Sequence, residues 1–292
     1  MQEKELKKAF VNGRTRNMAL LISIVLPCLL LAFQFFMNVR PAIDADSDGT
    51  MIDVLLQNCD LIFAVLFLLI SAIPFYLVFD KKRAQARDLV PIALMSAISI
   101  AGRAAFAVVP LPNFKPVTAI VIITAVSFGP EAGYLTGALT GFLSNFLFGQ
   151  GPWTPWQMFT WGIVGFLAGL FHKMGILGMI GQEKPDEYGK RKHPKRLCIY
   201  GFFSGFFYGW IMNLYHIVGY VRPITWQTFF STYITSFFYD LSHGVCTALV
   251  LWFVAEPWVR KLLRIKKKFA LDGENVFFEM PPSNATVKHD EI

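Results

Sequence analysis

Asp240 and His243 stand three residues apart in an apolar stretch, and Asn213 and His216 repeat that spacing in the stretch before it. On a helix, each pair shares a face. A carboxylate beside an imidazole is equipped for a proton relay, a metal site or a satisfied structural pair, and two ligands are too few for an ordinary metal site. Tyr208, Tyr215 and Tyr239 surround these groups with aromatic area. Arg103 lies in another apolar run, where a guanidinium is costly unless it is paired, lines a wet cavity or snorkels to the surface. Lys115 follows in the next loop. Together the two cations favour an anionic or strongly hydrogen-bonding ligand. Residues 149–156 read Gly-Gln-Gly-Pro-Trp-Thr-Pro-Trp. Such irregular backbone at membrane depth is tolerated only beside protein or a wet cavity. Trp153 and Trp156 could cover a ligand or form an aromatic belt. Asn145 and Gln150 beside them need hydrogen-bond partners.

The elements that hold these groups must live in lipid. Of 292 residues, 54% are hydrophobic, 16% are charged and 29 are Phe; soluble domains carry about 25% charge. The net charge of +7 comes from basic clusters between apolar runs, which argues against nucleic acid. Cys28, Cys59, Cys198 and Cys246 are scattered and read as small apolar side chains rather than disulfides or zinc ligands. No P-loop, H-E-x-x-H, G-x-S-x-G, voltage-sensor helix or TVGYG filter is present. No metal or cofactor is expected.

Runs long enough to cross a bilayer fall at 19–37, 54–79, 89–109, 131–148, 154–171 and 197–220. A shorter one at 117–128 lies between Pro116 and Gly129-Pro130. The first run is too long for a signal-peptide core and reads as an uncleaved helix. Thr154 is placed to cap its helix, with Pro155 at the first helical position and Gln157 completing a capping box. Residues 225–239 are aromatic and amphipathic, suited to the interface, and lead into an eighth span ending near Trp258. Lys and Arg concentrate in the even-numbered gaps and both ends, while the opposite gaps hold only Arg40, Lys115 and Arg222. By the positive-inside rule, both termini are cytoplasmic. The two halves share no motif, which disfavours an inverted-repeat transporter. Ala93, Ala97, Ala101 and Ala105 recur every fourth residue. This small-residue stripe lets another helix approach closely, whether from this chain or from a partner.

Gly102-Arg103-Ala104-Ala105-Phe106, Phe114-Lys115-Pro116-Val117-Thr118-Ala119, Phe128-Gly129-Pro130-Glu131-Ala132-Gly133, Ser144-Asn145-Phe146 and the run from Gly149 to Met158 resemble the substrate-binding S components of energy-coupling factor (ECF) transporters. The resemblance covers residues 80–260 and is nearest in impression to the cobalamin group. It implies an all-α polytopic membrane protein with a six-helix core at 80–260. Two extra transmembrane helices at 19–79 would precede that core, with a cytoplasmic segment at 1–18 and a basic, then polar, cytoplasmic tail at 261–292. It also implies a non-catalytic subunit of the bacterial cell membrane. Such a subunit captures a vitamin outside, works with a transmembrane coupling protein and two ATPases, and topples in the bilayer to release its cargo. In that family an A-x-x-x-A pattern on the first core helix meets the coupling protein; here it maps onto Ala93 and Ala97, extended by Ala101 and Ala105. The expected substrate site comprises Arg103, Phe106, Lys115, Asn145, Gln150, Trp153, Trp156, Asn213 and His216. Cobalamin or another corrinoid is the expected vitamin, with riboflavin the alternative within the family. Outside it, the rivals are a stand-alone proton-coupled transporter using Asp240 and His243, and a membrane enzyme acting on lipid.

Overall fold

The computed structural model describes residues 86–181, 193–221, 223 and 225–269, with isolated helical residues at 25, 29, 66, 69 and 70. Apart from those isolated residues, the expected N-terminal hairpin at 19–79 lies outside the described residues, as do residues 1–18 and 270–292. Within them the chain is helical: α1 Ala86–Ala105, a 3-10 turn Phe106–Val108, α2 Val117–Phe128, α3 Pro130–Phe148, α4 Trp153–Lys173, α5 Lys195–Tyr220 and α6 Trp226–Val250. A π-helical turn at Leu251–Ala255 then continues into α7 Glu256–Lys268. Leu89–Val108, Lys195–Ile217 and Trp226–Lys268 are long and apolar enough to cross a membrane, and Val117–Phe128 is a shorter apolar helix. The protein is an all-helical polytopic membrane protein, as its composition requires.

The short α2 is the centre of the bundle. Every residue from Val117 to Ser127 is buried, and α2 touches each of the other described helices. A helix apolar on all sides has no face to offer solvent, so its neighbours must enclose it. Its limits follow the punctuation in the sequence. Pro116 precedes it, and Gly129 follows at φ 108°, in the left-handed half of backbone space that suits glycine. Pro130 then opens α3.

Two pairs of helices are drawn together by glycines. On α3, a Cβ added at Gly137 would run into the Trp161 backbone of α4, and one added at Gly165 of α4 would lie 2.5 Å from the Gly133 carbonyl oxygen. On α5, a Cβ at Gly205 would lie 2.6 Å from Cα of Gly244 on α6. Helices this close gain dispersion contacts that lipid cannot match.

Two expectations change. The 225–239 stretch is not a separate interfacial helix. Thr225 caps α6 through a reciprocal capping box with Thr228, and the same helix carries on through the π turn to Lys268. The basic start of the expected tail is therefore helical, with Val259 packed into the core and Lys261, Arg264, Lys267 and Lys268 exposed. The capping box at Thr154 does not form either. Pro152 is the cap residue, α4 begins at Trp153, and the Thr154 and Gln157 side chains are engaged elsewhere.

Candidate functional site

The bundle order brings the C-terminal ends of α1 and α3, the start of α4 and the loops after them to one end. Arg103 is buried there, on the face of α1 that also carries Ile92, Ser96 and Ser99. Its Nη1 donates to Ser144 Oγ and, at 2.8 Å, to Asn145 Oδ1. Its guanidinium carbon lies 4.6 Å from the Phe148 ring centroid and 5.3 Å from that of Trp161. No carboxylate neutralises the charge among its described contacts. Neutral acceptors and π faces hold it instead, which leaves its positive charge uncancelled.

Asn145 links this guanidinium to the next loop. Its Nδ2 donates to Thr154 Oγ1 at 2.8 Å and to Gln157 Oε1 at 3.0 Å. Thr154 donates to Gln150 Oε1 at 2.9 Å, and Gln150 Nε2 donates to the Phe142 carbonyl at 2.9 Å. This is why the Thr154 cap is lost: its hydroxyl belongs to a polar network that spans α1, α3 and α4. Lys115 approaches from the α1–α2 loop, its Nζ 5.3 Å from the Phe148 centroid. Burial, and then the nearby Arg103 charge, hold its ammonium below the ordinary lysine pKa. Phe106 stacks on Phe114 of the same loop, 6.3 Å between centroids.

A second layer lies beneath. Trp161 Nε1 donates to Thr118 Oγ1 at 3.1 Å, and Thr118 Oγ1 meets His243 Nε2 at 2.7 Å. The Thr118 hydroxyl thus bridges the indole and the imidazole. Tyr208 stacks on Trp161 at 4.9 Å and meets His243 edge-on at 4.9 Å. The Trp161 ring thus touches both layers. Sequence reasoning missed Thr118, Ser144, Phe148, Thr154 and Trp161 as members of the site.

The expected residues separate into groups. Arg103, Lys115, Asn145 and Gln150 come together, with Phe106 in the adjoining loop. Trp153 folds over Gly151, filling the space a Cβ there would take. Trp156 faces Tyr215 of α5 at 5.7 Å. Asn213 turns to α6, donating to Ser236 Oγ at 2.5 Å. His216 is exposed and stacks on Tyr220 at 5.8 Å. Asp240 and His243 do not form the pair their spacing suggests. His243 bonds across to α2, while Asp240 accepts from Ser236 on its own helix at 3.4 Å and packs on Gly209. Among the described residues no cluster of three or more His, Cys, Asp or Glu could hold a metal.

All four stripe alanines, Ala93, Ala97, Ala101 and Ala105, are exposed. They lie on the face of α1 opposite Arg103.

Residues 83–178 match the family model of the ECF-type riboflavin transporter S component. A UPF0397 protein of Vibrio atlanticus (strain LGP32) is 35% identical over 93 residues, 31% of this chain and 50% of the relative. A UPF0397 protein of Aliivibrio fischeri (strain MJ11) is 33% identical over 90 residues, 30% of this chain and 49% of the relative. The chain thus spans about half the length of the curated relatives it matches. No solved structure matches. The matched region holds α1 to α4, with Arg103, Lys115, Asn145, Gln150 and the alanine stripe. Over residues 83–178 this chain is thus similar to the S components of energy-coupling factor transporters.

Proposed function

We propose that this protein is the non-catalytic substrate-binding subunit of an ATP-driven vitamin importer of the bacterial cell membrane. The observation that carries the reading is Arg103. A buried guanidinium held by neutral acceptors beneath aromatic rings, at the end where two loops meet, keeps its charge for a ligand. Phe106, Lys115, Asn145, Gln150, Trp153 and Trp156 border the same end. Aromatic faces would cover a planar ring system, and the amides and cations would fix its polar periphery. Asn213 and His216 would take the far side of a larger ligand that reaches α5.

By the positive-inside rule, the basic loops and α7 support an orientation with this end outside the cell and both termini cytoplasmic. The alanine stripe supports a partner. Four small, exposed side chains in a row on a lipid-facing helix fit a transmembrane coupling protein that works with two ATPase subunits. The parted Asp240 and His243 offer no contiguous proton relay, so the stand-alone proton-coupled transporter has less support. Two vitamins are carried forward. A corrinoid such as cobalamin follows from the subgroup resemblance, and riboflavin follows from the description of the matched family.

Purification from native membranes, followed by mass and absorbance measurement of any retained small molecule, tests the reading. A corrin or flavin spectrum at one molecule per chain supports it and chooses the vitamin. Conversion of a lipid by the purified chain would overturn it.

A further inference from the structure

Apart from Thr118, Ser144 and Thr154, which bond to other side chains, the buried hydroxyls of the described helices fall into two sets. Thr124, Ser127, Thr160, Ser204 and Thr247 each donate to the carbonyl four residues back. That is the ordinary way for a helix in a low-dielectric interior to satisfy a hydroxyl. Ser96, Ser99, Thr136 and Thr140 do not do so. Each is at most 2% exposed, and each hydroxyl lacks a hydrogen-bond partner among the described residues. Ser242 also lacks one but sits on another helix.

The two helices that carry these four pack against each other. On α1, Ser96 and Ser99 precede Arg103 on the face of Ile92, which packs against Ala132 and Leu135 of α3. On α3, Thr136 and Thr140 stand two turns and one turn before Ser144. Arg103 donates to Ser144, so the two rows run in register from the guanidinium toward the other end of the bundle. A row of buried hydroxyls left without partners is costly in a dry interior.

We propose that the seam between α1 and α3 is a hydrated extension of the Arg103 site, in which water bonded to Ser96, Ser99, Thr136 and Thr140 leads from the loop end into the bundle. Water is the ligand these groups suit. Each hydroxyl both donates and accepts, and an ion would need a countercharge that none of the four supplies. Helix α1 is then held to α3 through water along its inner face, while its outer face carries the alanine stripe. The proposal does not depend on which vitamin is bound, or on transport.

The test uses the full chain in lipid nanodiscs, with Cys28, Cys59, Cys198 and Cys246 replaced by alanine. Ser99→Cys, Thr140→Cys and Thr124→Cys are each exposed to a small charged methanethiosulfonate and read by mass. Only a hydrated, ionisable thiol reacts, so the two seam cysteines should react faster than the Thr124 control by on the order of tenfold or more. Rates equal to the control would overturn the proposal. A second reading guards against misfolded variants. Thr140→Val should lower the melting temperature if its hydroxyl binds water. A rise, as expected from deleting a dry orphan hydroxyl, would overturn the proposal.

Discussion

Among the described residues, three rows of glycine or alanine at four-residue spacing run along helices, and they meet different fates. Gly133, Gly137 and Gly141 on α3 are closed against α4, and Gly201, Gly205 and Gly209 on α5 are closed against α6. Ala93, Ala97, Ala101 and Ala105 on α1 remain exposed. The spacing is the same in all three, so spacing alone does not say where a row is used. The residue type and the opposite face do. Glycine admits backbone against backbone, the contact found inside this bundle. Alanine leaves a smooth ridge, and α1 spends its other face on Ile92, Met95 and the polar row ending in Arg103. A helix committed on one side to its own bundle has its small side left for something else.

Substitutions can break that contrast. Gly137→Leu should have the largest effect, because even a methyl group there meets the Trp161 backbone; no monodisperse folded protein is expected by size exclusion. Gly137→Ala should be milder, costing about 1–3 kcal/mol by thermal unfolding in detergent, the usual range for overpacking. Ala97→Trp should leave the melting temperature and vitamin binding unchanged while abolishing uptake by the assembled transporter. Loss of binding as well would show that the stripe serves this chain rather than a partner. At the helix that closes the second glycine seam, Thr225→Ala removes the capping box and should cost about 1 kcal/mol of stability. Ala97→Ser, small for small, should change uptake least of all.

The helices were largely legible because lipid enforces long apolar runs and because Pro and Gly punctuate them. The expected 117–128 span and α2 coincide, since Pro116 and Gly129-Pro130 fix both ends. The last helix was misdivided. Its first half is aromatic and exposed, with Trp226, Phe230 and Ile234 among its exposed residues, and an amphipathic pattern does not distinguish a helix lying on lipid from one passing through it. Arg103 was legible as a charge needing an explanation. Its partners were not, because Ser144 and Asn145 lie more than forty residues away and look like any polar residues near a helix end. Thr154 shows the converse. Its local sequence satisfies the capping rule, but Asn145 and Gln150 claim its hydroxyl. Local spacing also misled at Asp240 and His243, where tertiary partners on α2 and Ser236 of the same helix outcompete the pair. The glycine seams are as legible as the alanine stripe, since Gly133, Gly137 and Gly141 stand at the same interval.

In the proposed function, the Arg103 guanidinium at the loop end meets the ligand. The decisive experiment is equilibrium binding of riboflavin and of cobalamin to the purified chain, measured for the wild type and for Arg103→Gln without any ATPase. One of the two should bind the wild type at one molecule per chain. Arg103→Gln should weaken that binding by about 1.5–3 kcal/mol, the worth of a hydrogen bond to a charged group. An Arg103→Gln protein that binds the vitamin as tightly as the wild type would show that the guanidinium does not meet the ligand.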